Sequence, residues 1–141
     1  MKDEDHYLST DDKANSILER MFAGCEEVVG IEHVKSIISG GNSHSGNSQI
    51  VAYIGLEPSG SAHLGWTILA ETMRNLLDEK ANLVILLADW HAWVNDKFGR
   101  DMEKISLAGE YMCEVFRSML AGYSEGTGNG QYRFIRASEL M

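Results

Sequence analysis

Residues 53–66 read YIGLEPSGSAHLGW, and they join a short apolar run to a turn and then to a histidine. The run ends at Gly55, and the only proline of the chain, Pro58, follows it. Proline fixes its own φ and biases the preceding Glu57 towards an extended conformation, so the turn is preshaped. Gly55 and Gly60 have no side chains to keep a ligand away from the backbone. This stretch therefore predicts a strand that ends at a ligand site, with a helix beyond it.

Hydrophobic periodicity predicts the elements on either side. Two continuous apolar runs rich in β-branched and aromatic residues favour strands buried on both faces, and a third run is consistent with a further strand. Apolar residues spaced by three and four favour helices, and glycine-rich stretches favour loops. The predicted strands are 49–55, 82–88 and 131–137; the predicted helices are 10–24, 31–38, 61–80 and 101–121; the predicted loops are 40–48 and 122–130.

The order of these elements predicts the fold class. Strand, helix, strand, helix, strand is the order of an α/β fold with a doubly wound parallel sheet, here preceded by a helical leader. In such a sheet, ligands bind at the carboxyl ends of the strands. Those ends carry Gly55 to Gly60, then Ala88 to His91, then Ser138 and Glu139, so the polar residues cluster where the topology predicts a site.

Length and composition restrict the class of protein. A chain of 141 residues is one domain's worth and can bury a core. No apolar run approaches the ~20 residues that a membrane span needs. The N-terminus, MKDEDHYLSTDD, is acidic and polar, unlike a secretory signal or a transit peptide, so we expect a cytoplasmic location and no membrane partner.

Cysteines and net charge add two further restrictions. Cys25 and Cys113 fit neither a disulfide framework nor a zinc finger, and we expect both to be buried thiols. The net charge of −9 disfavours a broad nucleic-acid surface, so an RNA partner must meet a local patch or basic surface from another segment. Asp89 and His91 could instead be two metal ligands, but no third ligand of fitting spacing accompanies them, so no metal is expected.

His63 is the first candidate for chemistry. The helix predicted over 61–80 places it in the first turn, where backbone N–H groups and the helix dipole favour phosphate. Its side chain can add a donor, and Gly65 leaves space for a ring or a ribose against the helix. From the residues alone, His63 could equally cap or pack, and Gly65 could simply permit close contact between helix and sheet.

A family resemblance joins these segments. Residues 53–66, together with LLADWHAWVNDKFG at 86–99, resemble the archaeal and eukaryotic type of tyrosyl-tRNA synthetase, a class I aminoacyl-tRNA synthetase. His63-Leu64-Gly65-Trp66 stands in the place of the class I HIGH signature, and ASEL at 137–140 resembles the next segment of the family. The resemblance implies a Rossmann-like catalytic domain, of which 49–141 is the first half, after a leader and loop over 1–48.

The resemblance also implies an activity and its residues. The expected reaction is ATP-dependent activation of tyrosine to tyrosyl-adenylate, for transfer to tRNA. The catalytic signature residues are His63 and Gly65. The residues expected to bind tyrosine are Tyr53, Gly55, Glu57, Leu86, Ala88, His91 and Leu140. The residues expected to bind ATP are Glu57, Ser59, Gly60, His63 and Gly65. ATP is expected as its Mg²⁺ complex, without a tightly bound cofactor.

The sequence departs from the family pattern in two respects. Trp66 replaces the second histidine of the signature, which removes one donor directed at phosphate. We find no KMSKS-like loop, no far wall of the tyrosine pocket and no anticodon-binding domain, so the chain resembles the front half of an enzyme. The expected partners are tyrosine and ATP, tRNA for the full enzyme, and either a homodimer or a complementary half.

Two other functions remain open. Small nucleotidyltransferases also place an HxGH motif on a half-sized α/β sheet, and they would not need Tyr53 or the Ala-Asp-x-His segment. A non-catalytic half-domain could instead act by binding a partner through an exposed sheet edge. Amino-acid specificity is open between tyrosine and tryptophan, whose synthetase shares the architecture.

Overall fold

A computed structural model describes residues 9–40 and 50–140. The helices are α1 (Thr10–Met21), α2 (Ile31–Ile38), α3 (Gly65–Asp78), α4 (Asp89–Val94) and α5 (Met102–Met119). The strands are β1 (Val51–Leu56), β2 (Asn82–Leu87), β3 (Ser124–Glu125) and β4 (Gln131–Arg136). Short 3-10 helices cover Lys97–Arg100 and Ala137–Leu140. Apart from Gly40, the predicted loop over 40–48 lies outside the described residues. No described helix is long and apolar enough to span a membrane.

The four strands form one parallel sheet in the order β1-β2-β4-β3. Tyr53 lies beside Val84, and Val84 lies beside Arg133, so the register is continuous across three strands. The parallel α/β sheet predicted from the order of elements is confirmed, and so is the Rossmann-like fold that the resemblance implies. Because both crossovers advance across the sheet in the same direction, right-handedness places α3 and α5 on one face.

Burial divides the sheet into a helix-covered face and an open face. Leu83, Ile85 and Leu87 are fully buried and pack in one core with α3 and α5. Their neighbours along the strands point the other way, and Tyr53 on that open face is 74% exposed. The prediction that β1 is buried on both faces is therefore wrong, because β1 is an edge strand covered on one side. The prediction of burial on both faces holds better for β2, which lies between β1 and β4 and alternates between buried and half-buried residues.

The leader helix belongs to the same core as the sheet. Ser9 caps α1 by accepting from the backbone N–H of Asp12, whose carboxylate accepts from the Ser9 backbone in return, as its sequence predicts. Met21 is buried in the main core, and Arg20 forms a bidentate ion pair with Glu79 at the end of α3. The division at residue 48 remains a prediction.

Three local expectations need correction. The helix after the turn begins at Gly65 rather than Ser61, so His63 precedes it. The loop predicted over 122–130 contains β3, which pairs with the first two residues of β4 and gives that strand a neighbour. Cys25 is exposed rather than buried, because α1 ends at Met21 instead of continuing to Gly24.

Candidate functional site

The carboxyl ends of β1, β2 and β4 meet at one corner of the sheet. The backbone N–H of Ala88 donates to the carbonyl of Leu56 over 2.8 Å, which extends the β1–β2 pairing past the last strand residue. From β4 the chain turns into the 3-10 helix Ala137–Leu140 and returns to the end of β2. The topology thus brings together the three segments that the sequence predicts to form a site.

Asp89 links two of these strand ends. Its side chain is 3% exposed and accepts from the backbone N–H of Ser138 over 3.1 Å and from the Ser138 hydroxyl. It also accepts from the backbone N–H of Trp90 over 2.9 Å at the start of α4. A buried carboxylate needs such donors, and here they join β2 to the segment after β4.

Glu57 lies at the centre of a polar cluster between the turn after β1 and the end of α4. Its carboxylate accepts from the side-chain amide of Asn95 over 2.6 Å and lies 3.4 Å from the Lys97 ammonium. The Nε2 atom of His91 is 3.9 Å from the same carboxylate. This cluster presents one acceptor beside several donors, which suits a ligand that carries both an amine and a carboxylate.

Tyr53, Gly55 and Leu86 share the open face of the sheet. Gly55 lies beside Leu86 in the β1–β2 register, and Tyr53 is two residues before Gly55 on the same face. No heavy atom lies within 4 Å of a Cβ placed on Gly55, so the space next to it is open. A phenol, a glycine and an aliphatic side chain here form the floor of a shallow apolar surface.

His63 lies outside α3, and its side chain is fixed locally. The backbone N–H of Gly65 donates to His63 Nδ1 over 3.2 Å. A Cβ on Gly65 would lie 3.0 Å from Cε1 and Nδ1 of the same imidazole. Gly65 therefore makes room for His63 itself, rather than only for a ligand. Trp66 turns inward and is 7% exposed, so its indole does not take the outward position of a second donor.

The other predicted residues occupy the rim of this corner. Ser59 and Gly60 are exposed in the turn after β1, Ala88 is half-buried at the end of β2, and Leu140 is exposed in the last 3-10 helix. The structure thus joins Glu57 to His91, and His63 to Gly65. Within the described ranges, no hydrogen bond or ion pair links the His63 segment to the Glu57 cluster.

Sequence reasoning missed three residues that build the corner. Asn95 and Lys97 hold Glu57, and Tyr111 accepts from the backbone N–H of Ala62 over 3.4 Å. Ser138 was expected at this end of the sheet, but its hydrogen bonds to Asp89 were not. No sequence signal marks Tyr111, since it looks like an ordinary position on α5. Across 9–40 and 50–140, no group of three His, Cys, Asp or Glu side chains is arranged to hold a metal.

Comparison with known protein families gives one match over most of this region. The profile described as "tRNA synthetases class I (W and Y)" matches residues 45–138. The matched segment contains β1, the His63 turn, the Glu57 cluster and Ser138.

Archaeal enzymes are among the similar sequences. A Tyrosine--tRNA ligase from Sulfolobus acidocaldarius is 43% identical over 116 residues, which is 82% of this chain and 29% of that protein. A Tyrosine--tRNA ligase from Sulfurisphaera tokodaii is 40% identical over 95 residues, 67% of this chain and 24% of that protein. The matched part of the chain therefore spans 24–29% of the length of these relatives.

Solved structures agree with the sequence matches. The tyrosyl-tRNA synthetase from Aeropyrum pernix superposes with a TM-score of 0.73 at 31% identity, over 90% of this chain and 35% of that one. The Archaeoglobus fulgidus tyrosyl-tRNA synthetase complexed with L-tyrosine gives 0.72 at 28% identity, over 89% and 35%. The fold described above is thus shared with both.

Proposed function

Because the chain belongs to the class I tRNA synthetases for tryptophan and tyrosine, we propose that it forms the nucleotide-binding part of a tyrosine--tRNA ligase. The proposed reaction is ATP-dependent activation of tyrosine to tyrosyl-adenylate, followed by transfer to tRNA. In this proposal ATP binds as its Mg²⁺ complex. The reaction takes place in the cytoplasm. The family model covers both amino acids, and the names of the relatives favour tyrosine over tryptophan.

One observation carries this proposal: the three strand ends form a single corner with an amphipathic floor. The phenol of Tyr53 and the side chain of Leu86 lie on the open face, and the Glu57 cluster follows at the end of β1. An amino acid with an aromatic ring needs both kinds of surface. Its ring would lie over the open face, its ammonium would donate to Glu57, and its carboxylate would accept from the nearby donors.

The chemistry requires positioning more than proton transfer. A carboxylate oxygen of tyrosine attacks the α-phosphorus of ATP, the new C–O–P link forms, and the bond to the β-phosphate breaks to release pyrophosphate. Mg²⁺ neutralises the phosphate oxygens and the leaving group. His63 would donate a hydrogen bond to a phosphate oxygen, and the Glu57 cluster would orient the amino acid. Aligning the two reactants is the main contribution that this chain's residues make.

Isothermal titration of the 141-residue chain tests the proposal. We expect Mg-ATP to bind, and His63→Ala to weaken binding by about ten- to a hundredfold, because a hydrogen bond to a charged group is lost. The matched control is His33→Ala, at an exposed histidine on α2, which we expect to leave binding unchanged. Circular dichroism verifies that each variant is folded. A folded chain that binds neither ATP nor tyrosine would contradict the proposal.

Pyrophosphate exchange discriminates between the enzyme classes. The proposal predicts exchange that requires tyrosine and that tryptophan does not support. Exchange that ignores both amino acids and responds to another carboxylate or phosphate substrate would instead identify a small nucleotidyltransferase.

The open face favours a second candidate, a half-domain that acts by binding another protein surface. Val51 and Tyr53 are exposed there on an edge strand. Size-exclusion chromatography tests this candidate, because a chain that associates through this face elutes as a dimer or complex. Val51→Lys should then restore a monomer, whereas Val29→Lys, at an exposed site on the leader, should not.

A further inference from the structure

His63 has a defined pattern of hydrogen bonding before any ligand binds. Its Nδ1 accepts from the backbone N–H of Gly65 over 3.2 Å. A neutral imidazole that accepts at Nδ1 carries its proton on Nε2. Nε2 has no hydrogen-bond partner among the described residues, and the side chain is exposed. The ring therefore offers one N–H donor to a ligand.

Aromatic side chains support this ring from behind. The indole of Trp66 lies edge-on to the imidazole, with centroids 5.9 Å apart and planes at 62°. The same indole stacks on Phe116 of α5 at 5.4 Å and 14°. Because Trp66 is buried and Phe116 is fully buried, the indole is held in the core and restricts the rotation of His63.

Tyr111 attaches the segment before His63 to α5. Its hydroxyl oxygen accepts from the backbone N–H of Ala62 over 3.4 Å, and its ring lies 6.3 Å from the indole of Trp66. One residue thus contacts both the backbone that leads into His63 and the side chain behind it. The segment from Ala62 to Gly65 is too short to move independently of these two contacts.

We propose that Trp66 and Tyr111 are positioning residues for His63, which hold its Nδ1 against Gly65 and keep Nε2–H available as the donor. Trp66 then does not replace the missing second histidine as a ligand; it supports the remaining one. The contact between Nε2–H and a nucleotide phosphate rests on the proposed function. The tautomer of His63, and the contacts that fix it, do not depend on that function.

Nuclear magnetic resonance of the imidazole nitrogens tests the proposal without any ligand. Long-range proton–nitrogen correlation of the ¹⁵N-labelled chain at a pH where the ring is neutral distinguishes the two tautomers, and His63→Gln assigns the signal. We expect His63 to show the Nε2–H tautomer. Tyr111→Phe removes only a hydroxyl at a residue that is 45% exposed, so the variant should fold. We expect its His63 signal to move towards the tautomer mixture of a solvated imidazole.

A matched tyrosine provides the control. The hydroxyl of Tyr123 donates to Asp78 at the far end of α3, about 20 Å from the start of that helix. Tyr123→Phe should leave the His63 signal unchanged. Trp66→Phe keeps an aromatic ring on Phe116 and should cause a smaller change than Trp66→Leu. An Nδ1–H signal in the wild-type chain, or an unchanged tautomer in Tyr111→Phe, would overturn the proposal.

Addition of Mg-ATP to the same samples separates this inference from the proposed function. If both hold, ATP shifts the Nε2 resonance, and Tyr111→Phe weakens binding by about two- to tenfold, the effect of one hydrogen bond. If the tautomer is as expected but ATP leaves the spectrum unchanged, the proposed function fails and the positioning of His63 stands.

Discussion

The carboxylate of Asp89 joins the ends of β2 and β4. It accepts from two backbone N–H groups and one hydroxyl, all at a position almost without solvent. Removing it would leave these partly buried donors without their acceptor, which is costlier than losing an exposed hydrogen bond. The corner therefore depends on a residue that does not itself face the open side of the sheet.

We expect Asp89→Ala to lower the free energy of unfolding by about 2 to 4 kcal/mol, because buried donors lose their acceptor. Ser138→Ala, which removes one of the three donors, should cost less. Asp96→Asn is the control, since that carboxylate is exposed and its pair with Arg100 is 3.6 Å long. Urea denaturation followed by circular dichroism measures all three. An Asp89→Ala chain as stable as Asp96→Asn would show that the link to Ser138 contributes nothing.

Gly65→Ala should separate the function of the site from the stability of the fold. The added methyl would lie 3.0 Å from the imidazole of His63 and would push this exposed ring out of its position against Gly65. We expect Mg-ATP binding to weaken by about tenfold or more, because the donor is displaced. The unfolding free energy should not fall, since alanine favours a helix over glycine. Gly109→Ala, inside α5, is the comparison: its added methyl meets only ordinary contacts, so ATP binding should persist.

At the scale of single residues, the sequence predicts which side chains lie together at the strand ends. It does not predict the hydrogen bonds that hold them there. Glu57 and His91 follow predicted strand ends, and the structure places them 3.9 Å apart. The partners of Asp89 and His63 could not be predicted in the same way. Ser138 is 49 residues from Asp89, and Tyr111 is 49 residues from Ala62, so no local pattern connects them.

Among the elements, α3 is the one that connects the leader, the sheet and the segment after α5. Glu79, just beyond its end, pairs with Arg20 of α1, and Asp78 accepts from the hydroxyl of Tyr123, which follows α5. Burial, assisted by the bond to Asp78, raises the pKa of Tyr123 to about 12. The phenol is therefore protonated in the folded state at pH values where it ionises in the unfolded chain.

This shift predicts a loss of stability at alkaline pH. A raised phenol pKa contributes stability that is fully present below the ordinary value of 10.0 and is lost as the pH rises towards about 12. Tyr123→Phe should therefore show a shallower fall in unfolding free energy between these pH values than the wild-type chain. Urea denaturation at a series of pH values measures the difference. Parallel pH profiles for the two chains would contradict the assignment.

Element boundaries show which local signals suffice. The cap at Ser9 and the glycine stop after α2 fix their helices, and the structure begins α1 at Thr10 and ends α2 at Ile38 as predicted. The start of α3 was predicted four residues early, because apolar spacing begins at Leu64 and the polar residues before it resemble a first turn. β3 was missed because two residues among glycines carry no strand pattern; only their pairing with β4 makes them a strand.

At the scale of the molecule, the described residues share a continuous core that includes Met21 of the leader. Met21 is 1% exposed and packs with residues of α3, β2 and α5. The division at residue 48 rests on a polar stretch and stays a prediction. The packing of α1 against the sheet could not be predicted from composition, because that contact is long-range.

Met21→Ala tests whether leader and sheet unfold together. We expect it to lower the unfolding free energy by about 2 to 5 kcal/mol, the range for truncating a buried methionine. Tryptophan fluorescence is the readout, since Trp66, Trp90 and Trp93 all lie outside the leader. Val29→Ala, 87% exposed, should have no effect. A Met21→Ala transition that leaves the fluorescence midpoint unchanged would show that the leader is an independent unit.

The strand order has a consequence for synthesis on the ribosome. β3 is made before β4 but lies outside it in the sheet, so it has no strand to pair with until β4 has inserted beside β2. The donor that Asp89 requires arrives later still, at Ser138. A ribosome-bound chain halted when Leu120 has emerged should therefore be cleaved readily by a protease near Asp89. A chain halted after Ser138 has also emerged should resist cleavage there. Equal protease sensitivity of the two halted chains would show that the segment around Asp89 folds without β4 and Ser138.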